Sequence, residues 1–456
     1  MNSSIAYKFK KSFLQSHKHT FLFLINFVLL AILKEVYLYA LVIVLIVVSL
    51  KNSKKYLPMS LLFLSMMPYL NPFLGAMPSV LWNLSLILFT ALFIIKKKLH
   101  VNKLEISYLS ILLSFLFTSL IFSPLPSIAI IKVISLTVFS FVAFKTYKWG
   151  VINESILLQF TEAIVIVNIV LYFMPLGYYI NGLFMGVFSH SQNIGIFLVP
   201  LLSYYTIDFL ENSISGKVSK LFPLLVIFLG TLEIFATYSR TSIFTYVVLI
   251  AIYVILNKLK FKKRFSVLRS SFYFLLFIVI LVGGAINTPK ILNAAQNYIY
   301  KSVSSEAFES QYEKGILFSR QAIYRESLFN IERNPIFGNG LGVQFHNGKV
   351  ESDQIKFLPL LNVPYTMVGR EKSNVYLMTI EEGGFITLLL LALFILLQLK
   401  KTKNYPAAFY SSIAIFTMFN GEATLFSING TGAFQFIFLI LLYFLTINKK
   451  KSGYVK

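Results

Sequence analysis

Long apolar runs broken by short polar clusters set the plan of this chain. They fall at 20–33, 36–50, 59–76, 79–95, 104–123, 126–144, 155–175, 193–210, 221–239, 241–257, 271–286, 375–399, 406–425 and 433–447, and they are apolar on all sides rather than along one stripe. A helix of that kind is either the core of a large protein or a membrane span, and about twenty residues are needed to cross ~30 Å of hydrocarbon. About twelve to fourteen transmembrane helices are therefore predicted. The first two runs, joined at Lys34 and Glu35, are short enough to be partial or tilted spans. The fold class expected is an all-α polytopic membrane protein in three parts: N-terminal transmembrane helices over 1–286, one large extracytoplasmic loop over 287–372, and C-terminal transmembrane helices over 373–456.

The loop at 287–372 is the only long polar stretch, and loops of that length are usually functional. Within it, Gly315 to Glu332 reads as an amphipathic helix, with Ile316, Ile323, Leu328 and Ile331 among its apolar positions. It is expected to stop at Asn334-Pro335, because proline has no amide donor and clashes with the preceding turn. The PIFGNGLG stretch that follows has glycines at 338, 340 and 342, which can bring backbone amides close to a ligand.

Composition sharpens this reading. Hydrophobic residues make up 57% of the chain and the mean hydropathy is +0.74, which no soluble fold of this length could bury. The net charge of +23 would suit a nucleic-acid binder. Its placement argues against that partner, because Lys51, Lys54 and Lys55, then Lys96 to Lys98, Lys258 to Arg264 and Lys449 to Lys451 fall in alternate short loops and at the C-terminus. That is the positive-inside pattern. It places both termini in the cytoplasm, and Lys34, the Gly75 to Pro78 turn, Pro124 to Ser127, Leu176 to Asn193, Arg240 and the large loop outside. Lys8, Lys10, Lys11 and Lys18 precede an apolar run with no small-residue cleavage site, so the first run is expected to be an uncleaved span. Cysteine is absent, which removes disulfides, thiolate chemistry and cysteine-built zinc sites.

Few side chains are left to carry chemistry. Arg240, in TYSRTS between two spans, is a guanidinium at the outer surface whose donor fork suits phosphate oxygens; snorkelling to headgroups is the competing reading. Glu162, Glu233 and Glu422 lie inside spans, where carboxyls pair, stay protonated or line a polar route. If its helix continues, Glu233 is two turns from Arg240 on the same face. His17, His19 and His100 fall in cytoplasmic segments, whereas His190, in FSHSQN, and His346, in VQFHNG, lie outside and could act as general bases. A solvated structural role competes for both. Arg370 and Lys372 bring positive charge to the start of a span, Asn374 could cap that helix while facing a substrate, and Glu381 and Glu382 could complement its dipole.

Taken together, these pieces resemble the O-antigen ligase and Wzy-type polymerase superfamily. The likeness rests on Ser239-Arg240 at an outer helix end, on Arg320 opening the loop helix in FSRQAIYRESLFNIERNPIFGNGLG, and on Pro335, Gly338, Gly340 and Gly342. It is extended by SNVYLMTIEEGG from Ser373 to Gly384 and by GVFSHSQNIGIFL around Asn193, and it covers roughly residues 180 to 400. Where the family commonly has histidine, this chain has Ser373. The resemblance implies a GT-C-like architecture in a bacterial cytoplasmic membrane, and a metal-independent glycosyl transfer with no cofactor. The donor would be an undecaprenyl-diphosphate-linked oligosaccharide, with membrane lipids, a chain-length regulator and a flippase as further candidate partners. Arg240 and Arg320, with Arg325 and Arg370 as lesser candidates, would stabilise charge on the departing diphosphate. His346 or His190 would replace the missing histidine, or the charged site would activate the acceptor with no dedicated histidine. Asn193, Asn374 and the three loop glycines would contact substrate.

Joining repeat units of O-antigen, capsule or exopolysaccharide is the favoured reaction. Transfer of finished glycan to a lipid A core, as a ligase does, is the first alternative, and lipid-linked oligosaccharide flipping is the second. A reporter enzyme active only after export, fused within 287–372, is expected to be active; activity of a cytosol-only reporter there would end this reading.

Overall fold

The computed structural model describes residues 17–75, 77–178, 182–212, 221–237, 239–258, 318–343, 345–346, 349–350, 355–357, 362–367, 374–421, 425–427 and 431–451. The expected span at 271–286, together with Gly315, Arg370, Ser373 and Glu422, lies outside these residues. In chain order the helices are α1 (Lys18–Lys51), α2 (Ser53–Met66), α3 (Ser79–Ile95), α4 (Lys103–Phe122), α5 (Pro126–Trp149), α6 (Glu154–Tyr172), α7 (Ser191–Asn212), α8 (Leu221–Ala236), α9 (Arg240–Tyr253), α10 (Phe318–Arg333), α11 (Val375–Thr402), α12 (Pro406–Met418) and α13 (Thr431–Lys451). Among the described residues, seven of these (α1, α4, α5, α6, α7, α11 and α13) are long and apolar enough to cross a membrane, and α3, α8, α9 and α12 are shorter apolar helices. The protein is an all-α polytopic membrane protein.

Local chemistry explains where the helices begin and end. Asn102 accepts a hydrogen bond from the Glu105 amide while the Glu105 carboxylate reaches back to Asn102, a complete capping box at the start of α4. Pro126 and Pro406 occupy first-turn positions of α5 and α12, where a missing amide costs nothing. The run expected at 59–76 instead starts at Ser53 and stops at Met66, because Pro68 and Pro72 convert the remainder into two short 3-10 turns.

Within α1 the chain doubles back. Lys34 has non-helical dihedrals, and the Tyr37 hydroxyl donates to Asn26 Oδ1 at 2.7 Å. In an unbroken helix those residues would be ~16 Å apart. The two runs predicted on either side of Lys34 are thus the arms of a hairpin, whose turn lies beside Phe73 and Gly75.

The remaining loops sort to two ends. At one, Lys96 Nζ donates to Ser53 Oγ, the Val151 amide to the Lys54 carbonyl, and Lys145 and Lys148 to the His100 carbonyl. At the other, Asn71 Nδ2 donates to the carbonyls of Leu176 and Gly186, the Ser189 amide donates to the Tyr69 carbonyl, and Ser127 Oγ donates to the Pro364 carbonyl. Every described loop expected to be cytoplasmic is at the first end, and every described loop expected outside is at the second.

Between these ends α13 is the central helix, with 83% of its apolar window buried, whereas α1, at 11%, is peripheral and turned to lipid. Two small antiparallel hairpins, β1 (Phe345–His346) with β2 (Lys349–Val350) and β3 (Ile355–Phe357) with β4 (Pro364–Met367), were not foreseen. Phe345, Val350 and Ile355 pack around Val343 and Ile128, so these hairpins rest on the start of α5.

Lys145, fully buried, donates to both carboxylate oxygens of Glu105 at 2.6 and 2.9 Å and so joins α5 to α4 at the basic end. Lys145→Met is expected to lower stability by about 3–5 kcal/mol by stranding a buried carboxylate, while Lys145→Met with Glu105→Leu recovers most of that loss. Equilibrium unfolding in mixed detergent micelles checks it; equal losses in the single and double variants would contradict a pairing role.

Candidate functional site

The end away from the basic loops is organised by a break in α11. Gly384 has φ +72°, so the helical ladder is interrupted two to three turns after its start. The chain from Pro335 to Gly340 fills the gap: the amides of Asn339 and Gly340 donate to the carbonyls of Glu381 and Glu382, both at 2.9 Å, and the Phe385 amide donates to the Pro335 carbonyl at 2.9 Å. Backbone groups that the break would orphan are thereby paired across the two segments.

The glycines of this loop are needed for that docking. Gly338, Gly340 and Gly342 all have positive φ. A side chain at 338 would come within 2.5 Å of the Glu382–Gly383 backbone, one at 340 within 2.5 Å of Ser123, and one at 342 within 2.8 Å of Lys132 Nζ. The expectation that these glycines admit a ligand to the backbone is therefore replaced, on the faces their missing side chains leave, by close packing against the protein itself.

Glu381 and Glu382 are both buried, and more than dipole complements. The Glu381 carboxylate accepts from Ser327 Oγ at 3.0 Å and Asn330 Nδ2 at 2.9 Å, which fixes α10 to α11; Glu382 Oε2 accepts the Gly342 amide at 3.0 Å. Lys132, one to two turns into α5, brings its ammonium to the same glycine. A cation and a carboxylate thus meet at Gly342, and the Leu341 amide donates to Ser119 Oγ at 2.9 Å.

A second group forms where three helices start. Gly195 of α7 lies against Ser242 of α9, so close that a methyl group there would clash with its hydroxyl, and Gly421 meets Thr241 in the same way. Asn374 caps α11 by accepting from the amides of Tyr376 and Leu377 at 2.9 and 3.1 Å, and its Nδ2 donates to the Asn420 carbonyl at 3.4 Å. The beginnings of α7, α9 and α11 therefore converge, and with them Asn193, Arg240 and Asn374. Half-buried Arg240 is the first residue of α9; its N-cap, Ser239, bonds through its hydroxyl to Ser242 Oγ at 2.8 Å and makes no side-chain cap to the helix amides. Helix starts carry positive partial charge, and with a guanidinium among them the arrangement is chemically suited to an anion.

His190 stands just before α7, with its Nδ1 accepting the Gln192 amide at 3.2 Å. That bond favours the tautomer protonated at Nε2, which offers a donor at that nitrogen rather than a base. Asn193 Nδ2 donates to Ser189 Oγ at 3.2 Å. Arg325 is exposed on α10, and the backbone of Arg320 occupies the position two turns before Ser327 on the same helix. The backbone of His346 pairs with Lys349 in the first hairpin.

Of the buried acids, Glu233 does not have the helix partner expected for it, and Glu162 takes one of the roles left open for it, internal pairing. Glu233 and Arg240 do not share a continuous helix, because α8 ends at Ala236 and α9 begins anew at Arg240. Glu233 instead accepts from Asn168 Nδ2 at 2.9 Å, and Asn168 Oδ1 accepts the Val187 amide, so the carboxyl anchors the outer loop before α7. Glu162 accepts from Thr20 Oγ1 at 2.5 Å and Tyr205 at 3.1 Å and lies 3.0 Å from His17 Nδ1, a structural cluster. Lys132 is the residue that the sequence reading missed. Its signal was a lone charge inside a run counted as apolar, where an ionisable side chain marks a functional position by default.

Residues 225–392 match the family described as O-antigen ligase. No curated protein and no solved structure matches the chain.

Gly384→Ala is expected to disrupt the docked loop, since the added methyl would fall on the Ile336 carbonyl. Gly182→Ala, also at positive φ but with nothing within 4 Å, meets only the local backbone penalty of about 1–2 kcal/mol. Limited proteolysis between 318 and 374 reads the difference; equal cleavage in the two variants would contradict the docking role.

Proposed function

We propose, from a chain whose residues 225–392 match the O-antigen ligase family, that this protein joins polyprenyl-diphosphate-linked oligosaccharide repeat units at the outer face of a bacterial cytoplasmic membrane. The observation that carries the reading is the convergence of Arg240 with three helix starts at the end of the bundle away from the basic loops. A diphosphate has the charge and size for such a place.

In the proposed reaction an acceptor sugar hydroxyl attacks the anomeric carbon of the donor glycan. The new glycosidic bond forms as the bond from that carbon to the diphosphate oxygen breaks; the hydroxyl proton passes to His346 and the electron pair leaves with the diphosphate. Arg240 and Arg320 stabilise the charge that develops on the leaving group, with Lys132, Arg325 and Arg370 adding to the field. Asn193 and Asn374 position sugar or phosphate oxygens. Holding two lipid-tethered substrates side by side supplies much of the rest.

The family's description favours a second reading, transfer of a finished glycan to a lipid A core. The two differ only in the acceptor. Purified protein in liposomes, given lipid-linked repeat units alone, is expected to yield a ladder of longer lipid-linked glycans. A product formed only when lipid A core is supplied would identify a ligase, and movement of substrate across the bilayer without lengthening would identify a flippase.

Arg240→Ala and Arg320→Ala are each expected to abolish the ladder, a rate loss of at least ~100-fold, while the protein remains folded. Lys132→Met is expected to lose less. His346→Ala should be more damaging than His100→Ala. Normal ladder lengths in the Arg240 or Arg320 variant would refute the role assigned to that residue.

A further inference from the structure

At the opposite end, a cavity of about 360 Å³ opens between α2, α3 and α5, lined among others by Ser53, Lys54, Phe93, Lys96, Lys98 and Trp149. Positive-inside topology accounts for lysines near this surface but not for their arrangement around a hollow. Lys98 Nζ stands 4.1 Å from the Trp149 ring centre, and Lys96 Nζ donates to Ser53 Oγ at 2.9 Å. Among the described residues, no acidic side chain lines the cavity. The two acids described nearby in the fold are already engaged, Glu105 by Lys145 and Glu154 by Lys449.

The turn that presents these lysines is itself unusual. The Lys97 amide donates to the Ile94 carbonyl at 2.9 Å and the Lys98 amide to the Phe93 carbonyl at 3.0 Å, with Lys97 at φ +51°. This is a Schellman ending in which the left-handed position, normally glycine, is held by lysine. The turn carries Lys96 to Lys98 past the end of α3 around the cavity mouth. Beside it Ile94, Ile95, Leu99 and Val151 are exposed, an apolar flank continuous with the charged hollow.

We propose that this cavity seats the phosphate of an anionic glycerophospholipid: Lys54, Lys96 and Lys98 take the phosphodiester, Trp149 lies along the glycerol level, and the acyl chains run down the Ile94–Ile95 flank. Phosphate oxygens match the ammonium donors, and basic hollows between membrane helices are recognised seats for such headgroups. The apolar flank favours a lipid over a free phosphate ion. This inference does not rest on the glycan-joining reaction, so either can fail alone.

Native mass spectrometry of the full-length protein in detergent, titrated separately with phosphatidylglycerol and phosphatidylcholine, tests it. Phosphatidylglycerol should be retained in preference, and Lys96→Gln/Lys98→Gln should weaken that retention about tenfold. The equally charged control Lys51→Gln/Lys55→Gln, off the cavity, should not. Should the pocket double variant not purify as a monodisperse species, Lys98→Gln alone keeps the Lys96–Ser53 bond and should still show a several-fold loss. Equal retention in pocket and control variants would overturn the proposal. So would displacement of the lysine-dependent signal by inorganic phosphate with no preference between the two lipids, which would mean a free-ion site.

Discussion

A helix that breaks inside a membrane protein leaves carbonyl and amide groups without partners, and each would cost several kcal/mol in a dry environment. In α11 the break at Gly384 is closed by another piece of chain. The loop after α10 lends two amides to the carbonyls of Glu381 and Glu382 and takes the Phe385 amide in return. The buried carboxylate of Glu381 adds Ser327 and Asn330 of α10 to the joint, and that of Glu382 adds Gly342. The extramembrane helix is thereby fastened to the bundle by hydrogen bonds and not by apolar area alone.

This joint limits how the proposed site could hold an anion. Because the amides of Asn339, Gly340, Leu341 and Gly342 are occupied by α11 and α4, they cannot wrap a phosphate as a glycine-rich cradle would. In the proposed reaction the charge is instead met by Arg240 with the starts of α7, α9 and α11, aided by cationic residues of α5 and α10. Glycines still matter here, but Gly195 and Gly421 matter because they let Ser242 and Thr241 at the start of α9 approach closely.

Most of the architecture was legible in the sequence because lipid makes strong demands. Most described apolar runs gave their helices to within a few residues, the runs at 59–76 and 406–425 excepted, and the lysine clusters sorted the described loops to two ends. The turn at Lys34 was visible as a charge between two short runs. Other features were hidden for physical reasons. A glycine at positive φ looks the same whether it admits a ligand or a neighbouring backbone, so the packing role of Gly338 could not be read from PIFGNGLG. Acids near a helix start look like dipole partners, and only burial reveals Glu381 and Glu382 as anchors. Pairing Glu233 with Arg240 required a helix to run through Thr237 and Ser239, where the chain instead starts a new one. Lys132 escaped notice because five apolar or small neighbours on each side outweigh one charge in any hydropathy window.

The doubled-back α1 has a consequence for the surrounding bilayer. Its 34 residues divide at Lys34 into two arms, each ~25 Å long at 1.5 Å per residue, against ~30 Å of unperturbed hydrocarbon. Most of this hairpin faces lipid, with Ile25, Val28, Ile32, Val36 and Ile43 exposed. Acyl chains along that flank must shorten or tilt to keep those side chains covered. The protein is thereby bordered on one side by a dimple in the membrane, a thinned and more easily deformed patch in which the headgroup plane is lowered.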